Sequence, residues 1–389
     1  MQVMISCGEA SGSLYAAALA DRLRTLDADV RIFGLGGREL ALAGVELVGD
    51  YHGLSVTGLS EALAVLPRSW QMLRRLVAAA RERRPDVFVA VDFPDFNFRL
   101  AAAIRRLGIP VVYYISPQLW AWRSGRLRTM ARLADLVLVI FPFEEAIYRD
   151  ADIPVEFVGH PLVELTQVED SAGPPRARLG LDPDRRTVAL LPGSRPNELR
   201  AMASDLAAAA REIARRAEDV QLVVACAPGL SPELFEPFRT GAWPERARPR
   251  MVEARTDDVL AASDLVLTAS GTATVQCAIH GRPMVIVYRL SPITYRLGKP
   301  FVRVDTYGMV NLIAGRPVVP ELIQDELTPD AVVREAMDLL SNPARADRTR
   351  DELARVRRML GGPGASLRAA EAILRTARER RANGAYPLE

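Results

Sequence analysis

The sequence predicts an α/β protein made of two Rossmann-like, doubly wound parallel-sheet domains. Three observations carry this reading. Short β-branched runs alternate with Ala/Leu/Arg-rich helical stretches, the alternation runs twice along the chain, and 389 residues are enough for two separate cores at roughly 150 residues per domain.

The first series opens with VMIS, followed by a helix over Leu14–Leu26, then VRIFGLGG, VFVAVDF with a helix over Phe98–Leu107, VVYYIS and LVLVIF. These strands are almost continuously apolar, as expected where helices cover both faces of a parallel sheet. SAGPPRARLGLDPD, residues 171–184, breaks the rhythm with Pro, Gly and charge, which places a linker over 169–186 after a first domain of 1–168. The second series runs through TVALLPGSR, a helix over Pro196–Ala217, VQLVVAC, DLVLTASGTAT, another helix and PMVIVYR, giving a second domain over 187–362. A closing helix over Ala365–Arg381, in the segment 363–389, repeats Leu367, Ala370, Ile373, Leu374 and Ala377 at helical spacing. It docks either on the first domain or on a partner copy, which would make a homodimer.

Composition removes several function classes. Fifty Lys+Arg against 48 Asp+Glu leave a formal charge of only +2, so no global field draws the chain to nucleic acid. Lys299 is the sole lysine, which excludes lysine chemistry elsewhere. Cys7, Cys226 and Cys277 are odd in number and far apart, indicating neither a disulfide framework nor a zinc site. The start, MQVMISCGEASG, lacks the features of an export signal, and the apolar run Leu136–Phe143 is far short of the roughly 20 residues that span a bilayer. Membrane contact is expected to be peripheral at most.

Ligands of doubly wound sheets sit beyond the carboxyl ends of strands and, here, in the cleft expected between two domains, so the strand-to-helix loops are the candidates. Leu191-Pro192-Gly193-Ser194-Arg195 offers backbone N–H groups, a helix N-terminus and the Arg195 guanidinium to a phosphate; the bland alternative is a plain turn with a solvated arginine. Ser270-Gly271-Thr272-Ala273-Thr274 has the same strand-to-helix placement, with small residues and hydroxyls. Two such loops in one domain suggest a nucleotide diphosphate, although small residues also serve simply to pack a helix on a sheet. In VFVAVDFPDFNFRL, Asp92 ends a strand and is either a general base or a structural loop residue, while Asp95 or Asn97 is expected to cap the next helix.

Other motifs point away from dinucleotide or metal chemistry. CGEASGS and GLGGRE both miss the G-x-G-x-x-G spacing, so nicotinamide chemistry is disfavoured. His52, His160 and His280 have no partners at metal-ligand spacing, and Asp27-x-Asp29 and Asp150-x-Asp152 lie at expected helix ends, so no metal is expected. In SPQLWAWR, Trp120 and Trp122 beside Arg123 are either core anchors or a wall for a sugar ring or acyl chain. Leu59, Leu63, Leu66, Trp70, Leu73 and Val77 recur every three or four residues, with Arg68, Arg74 and Arg75 among them. That stretch is either a membrane-surface helix or a helix packed on its own domain, and Pro67 is expected to interrupt it.

GEASG, RPDVFVAVDFPDFN, YYISPQLWAWR, FPFEEAIY, FVGHP, LLPGSR, ASGTAT, YRLSPITYRLGK and NLIAGRPVVPELIQ occur in an order that, over nearly the whole chain, resembles the lipid-A-disaccharide synthase family. The tryptophan and PDFN segments are its specific part; GSR and SGT alone are generic. The resemblance implies two GT-B domains and metal-free, cofactor-free inverting transfer. UDP-2,3-diacylglucosamine would donate to 2,3-diacylglucosamine-1-phosphate, giving a β-1,6 disaccharide and UDP. It also implies Asp92 as base, Arg195 facing the diphosphate, and Gly193, Ser194, Ser270, Gly271, Thr272 and Gln276 around the nucleotide sugar. Glu9, Ser11, Gly12, Ser116, Trp120, Trp122, Arg123, Asn311 and Arg316 are the residues it implies for the acceptor. The implied partners are the lipid donor, the glycolipid acceptor and the inner, cytoplasmic face of the membrane. The sequence departs from the family pattern twice. Ser13 stands where the family usually has Asp, which removes any charge-dependent role there, and Gln276 where an acidic residue usually receives the ribose hydroxyls, which implies weaker UDP binding or a changed donor. The alternatives are a UDP-sugar GT-B enzyme with a different acceptor and a noncatalytic nucleotide-sugar-binding homologue.

Overall fold

The computed structural model describes residues 1–54, 59–117, 125–166, 174–290 and 306–382, with backbone only over 59–65. The chain divides into two compact units, one formed by residues up to Pro161 together with the segment from Leu360 onward, the other beginning at Leu162 and ending at Met359.

The first unit holds seven strands: β1 Gln2–Cys7, β2 Arg31–Gly36, β3 Glu46–Asp50, β4 Val87–Val91, β5 Val111–Tyr114, β6 Leu136–Val139 and β7 Val155–Phe157. Their order is β3-β2-β1-β4-β5-β6-β7, and every pairing is parallel. The strand VFVAV is fully buried, as its unbroken apolar sequence requires. Winding reverses between β1 and β4, where Cys7 stands opposite Val91, so the loops after these two strands open side by side at the switch point.

The second unit repeats the plan with β8 Arg186–Leu191, β9 Val220–Cys226, β10 Arg250–Glu253, β11 Leu265–Ala269, β12 Met284–Tyr288 and β13 Glu321–Ile323, ordered β10-β9-β8-β11-β12-β13 and all parallel. Here the reversal falls between β8 and β11, with Leu191 opposite Thr268, and the GSR and SGT loops follow these two strands.

The chain then returns. The helix Ala365–Ala382 packs on the helix Ala10–Leu26 and on β4 in the first unit, burying Ala369, Ala370, Ile373, Leu374 and Ala377. Arg381 pairs with Asp86 at 2.6 Å, and Arg368 Nε donates to the Val158 carbonyl at 2.8 Å.

Three local expectations need correction. Neither Asp95 nor Asn97 caps the helix Pro94–Arg105: its N-cap is Phe93, Asp95 pairs with Arg126 at 2.6 Å, and Asn97 is buried beneath the turn. Pro94 at the first helical turn needs no N–H partner, so the helix starts without a side-chain cap. The helix Leu59–Arg83 continues through Pro67, at the loss of one N–H from its ladder. The described part of the expected linker, residues 174–186, belongs to the second unit, where Arg178 pairs with Asp258 at 2.7 Å and Arg176 with Asp264 at 2.5 Å.

Candidate active site

In the first unit the site is built on the turn after β4. Asp92 and Phe93 both take left-handed backbone conformations, φ 46° and 52°. Cβ sterics disfavour this for non-glycine residues, so such turns persist only where their surroundings hold them. The Asp92 carbonyl accepts from Tyr113 Oη at 2.7 Å and Asn97 Nδ2 at 2.8 Å, and its N–H donates to the Tyr114 carbonyl at 3.2 Å. Asn97 is fixed in turn by Ser6, whose hydroxyl donates to Asn97 Oδ1 at 2.6 Å. The Phe93 ring lies over Gly8, where a Cβ would stand 2.0 Å from Cγ of the ring. The glycine of GEASG is thus required by the turn after a neighbouring strand. Asp92 itself is half-buried.

Beside this turn, Glu9 precedes the helix Ala10–Leu26, and both Glu9 and Ser11 are half-buried. Gly12 is buried, its α-carbon set so that a Cβ would meet Cys7 at 3.4 Å. Ser13 is fully buried, and its hydroxyl accepts from the Gly37 and Leu40 amides at 3.3 and 3.4 Å. Burial, reinforced by the Glu39 charge, pushes the Cys7 thiol up to about 12 and the Tyr51 hydroxyl also to about 12, so neither is a nucleophile at neutral pH. Ser116 is buried with its hydroxyl against Tyr148 Oη and the Pro117 carbonyl. Trp120, Trp122 and Arg123 lie outside the described residues.

In the second unit, Gly193 takes φ 126°, and a Cβ there would come within 2.6 Å of Glu198 Oε2. Glu198 is one of two residues here that sequence reasoning missed. Its Oε2 accepts the Ser194 and Arg195 amides at 3.0 and 3.3 Å, and its Oε1 takes Arg195 Nη1 at 3.1 Å. The backbone amides expected to cradle a phosphate therefore already hold a carboxylate, that of the third residue of the helix Pro196–Arg216 reaching back over its N-terminus. What this loop offers a ligand is the Arg195 guanidinium, 38% exposed and oriented by Glu198. A Glu three residues after the N-cap was the available signal.

The SGT loop is more open. Gly271 precedes the helix Thr272–Ile279, no side chain caps that helix, and a Cβ on Gly271 would meet nothing within 4 Å. Thr272 is exposed and Gln276 half-buried. Ser270 Oγ donates to the Tyr307 carbonyl at 3.3 Å, which ties the loop to a second missed residue, Glu321. The Glu321 carboxylate accepts the Tyr307 and Gly308 amides at 2.8 and 3.0 Å and Asn311 Nδ2 at 2.6 Å. Asn311 is fully buried, with its carbonyl taken by the Val318 and Val319 amides at 2.7 and 3.0 Å and its amide by the Val319 carbonyl at 2.9 Å. It holds the turn rather than presenting an amide to an acceptor. Arg316 is exposed and pairs with Glu352.

Two Rossmann-like parallel-sheet units, each carrying polar loops at its own switch point, make up a GT-B fold, and solved structures share that fold. These include UDP-GlcNAc 2-epimerase from Neisseria meningitidis bound to UDP-GlcNAc, at TM-score 0.69 and 13% identity over 96% of this chain and 100% of that one. The glycotransferase of kitacinnamycin aligns at TM-score 0.62 and 20% identity, covering 96% of this chain and 98% of that one. The family model for lipid-A-disaccharide synthetase matches residues 3–374. A curated lipid-A-disaccharide synthase from Myxococcus xanthus is 43% identical over 373 residues, covering 96% of this chain and 97% of that one. The chain belongs to the lipid-A-disaccharide synthetase family and is a glycosyltransferase.

Proposed function

We propose that this chain transfers 2,3-diacylglucosamine from UDP to the 6-hydroxyl of 2,3-diacylglucosamine-1-phosphate, with inversion, forming the β-1,6-linked disaccharide and UDP. The observation that carries the reading is Asp92, a carboxylate on a constrained turn at the switch point of the first sheet. Asp92 takes the proton of the acceptor hydroxyl as its oxygen attacks the anomeric carbon. The bond from that carbon to the diphosphate breaks, and its electron pair leaves with UDP. Arg195 stabilises the charge growing on the diphosphate, while the uncapped helix start at Gly271–Thr272 receives phosphate oxygens. Gln276 accepts from the ribose as a neutral amide. The test is UDP release and product mass with acylated and deacylated substrate pairs. Disaccharide formed only from the acylated pair is expected; equal turnover of the deacylated pair would point to another acceptor class.

Both substrates are lipids, and the helix Leu59–Arg83 supports a docking face at the cytoplasmic membrane surface. Leu66 and Trp70 are 38% and 53% exposed beside exposed Arg68 and Arg74, while Leu73 and Leu76 point into the core. Among the described residues no helix is long and apolar enough to cross a membrane. Trp70→Ala should reduce co-sedimentation with anionic phosphatidylglycerol vesicles several-fold; unchanged binding would move the docking face elsewhere.

A further inference from the structure

Asp92 and Phe93 are two consecutive non-glycine residues in the left-handed region, a conformation that Cβ sterics disfavour, most strongly for the bulky Phe93. Two side chains converge on the Asp92 carbonyl: Asn97 Nδ2 at 2.8 Å and Tyr113 Oη at 2.7 Å. Asn97 also donates to the Ser6 and Val91 carbonyls at 3.1 and 3.4 Å and accepts from the Ser6 hydroxyl. Tyr113 differs in that its ring is a fully buried core member of β5, packed edge-on against Phe98 at 5.7 Å. Phenylalanine would fill that place equally well, so the buried hydroxyl answers to the Asp92 carbonyl.

We propose that Tyr113 is a positioning residue for the transfer, clamping the Asp92 carbonyl so that the left-handed turn holds the Asp92 carboxylate in one direction. The proposal rests on Asp92 being the base. Burial, and next the Asp92 charge, hold the Tyr113 hydroxyl well above its ordinary titration range, so the clamp keeps its proton at every working pH. Without it, the Asp92 carbonyl keeps the Asn97 bond and the turn keeps its Phe93–Gly8 packing, so the fold persists while the carboxylate gains freedom. General-base catalysis depends steeply on such placement, and a misplacement of about 1 Å can cost roughly a hundredfold in rate.

The experiment compares wild type, Tyr113→Phe and Asp92→Asn for kcat, KM of both substrates, thermal unfolding and UDP affinity. Tyr113→Phe is expected to lower kcat about ten- to hundredfold, with both KM values and UDP affinity within about twofold of wild type and the fold intact. A kcat within about twofold of wild type overturns the proposal. So does a loss of kcat that comes with lost UDP affinity or an unfolded protein, because the hydroxyl would then be merely structural. Wild-type turnover in Asp92→Asn overturns the base reading itself, and the proposal with it, and is recognisable whatever Tyr113→Phe does.

Discussion

At position 13 a buried hydroxyl receives the Gly37 and Leu40 amides, so the departure from the family's usual aspartate leaves these donors satisfied without a buried charge. Such roles were illegible in the sequence because the partners are remote: 24 residues away for Ser13 and Gly37, 91 for Ser6 and Asn97. Asp92 and Arg195 were legible because residue type and strand-end position suffice to raise them. His160, expected to be structural, is fully buried against the Tyr15 and Phe141 rings, and burial pulls its pKa down to about 3. Between about 3 and its ordinary 6.5 the unfolded chain binds the extra proton. Stability contributed above pH 6.5 is therefore lost as pH falls towards 3, by roughly 1.4 kcal/mol per unit. Urea unfolding at pH 6.5 and 4.5 should show this slope in wild type and its loss in His160→Gln; equal slopes would mean that His160 carries a proton in the fold.

Among the elements, the long central strands were plain in the sequence, since four or five apolar residues in a row read as strands buried on both faces. Short edge strands were not: β10, Arg250–Glu253, exposes both ends, and β13 has three residues. The helix starts were harder still. The helix Ala10–Leu26 begins four residues before the expected Leu14 because its first turn is small residues set close to β1. At the helix Pro196–Arg216, Glu198 closes the GSR loop on itself. Glu198→Ala should therefore destabilise the protein by about 1 kcal/mol in chemical unfolding, and Glu198→Gln by less, since a neutral acceptor can still complete the cap. Equal stability of all three proteins would show that the amides of Ser194 and Arg195 find other partners.

For the molecule as a whole, each sheet carries its candidate loops at its own reversal, after β1 and β4 in one unit and after β8 and β11 in the other. Alternating pattern and chain length predicted two such units, whereas the return of the last helix to the first unit rested on a periodicity that equally suited a partner copy. The near-zero net charge leaves recognition to local groups, of which Asp92 is the one the proposed base mechanism depends on. The most direct measurement is disaccharide mass and UDP release in detergent with EDTA, for wild type and Asp92→Asn side by side. Wild type is expected to give product despite the chelator, and the variant to lose about 10²-fold or more; undiminished product from Asp92→Asn, or none from wild type until a metal is added, would contradict metal-free transfer with Asp92 as base.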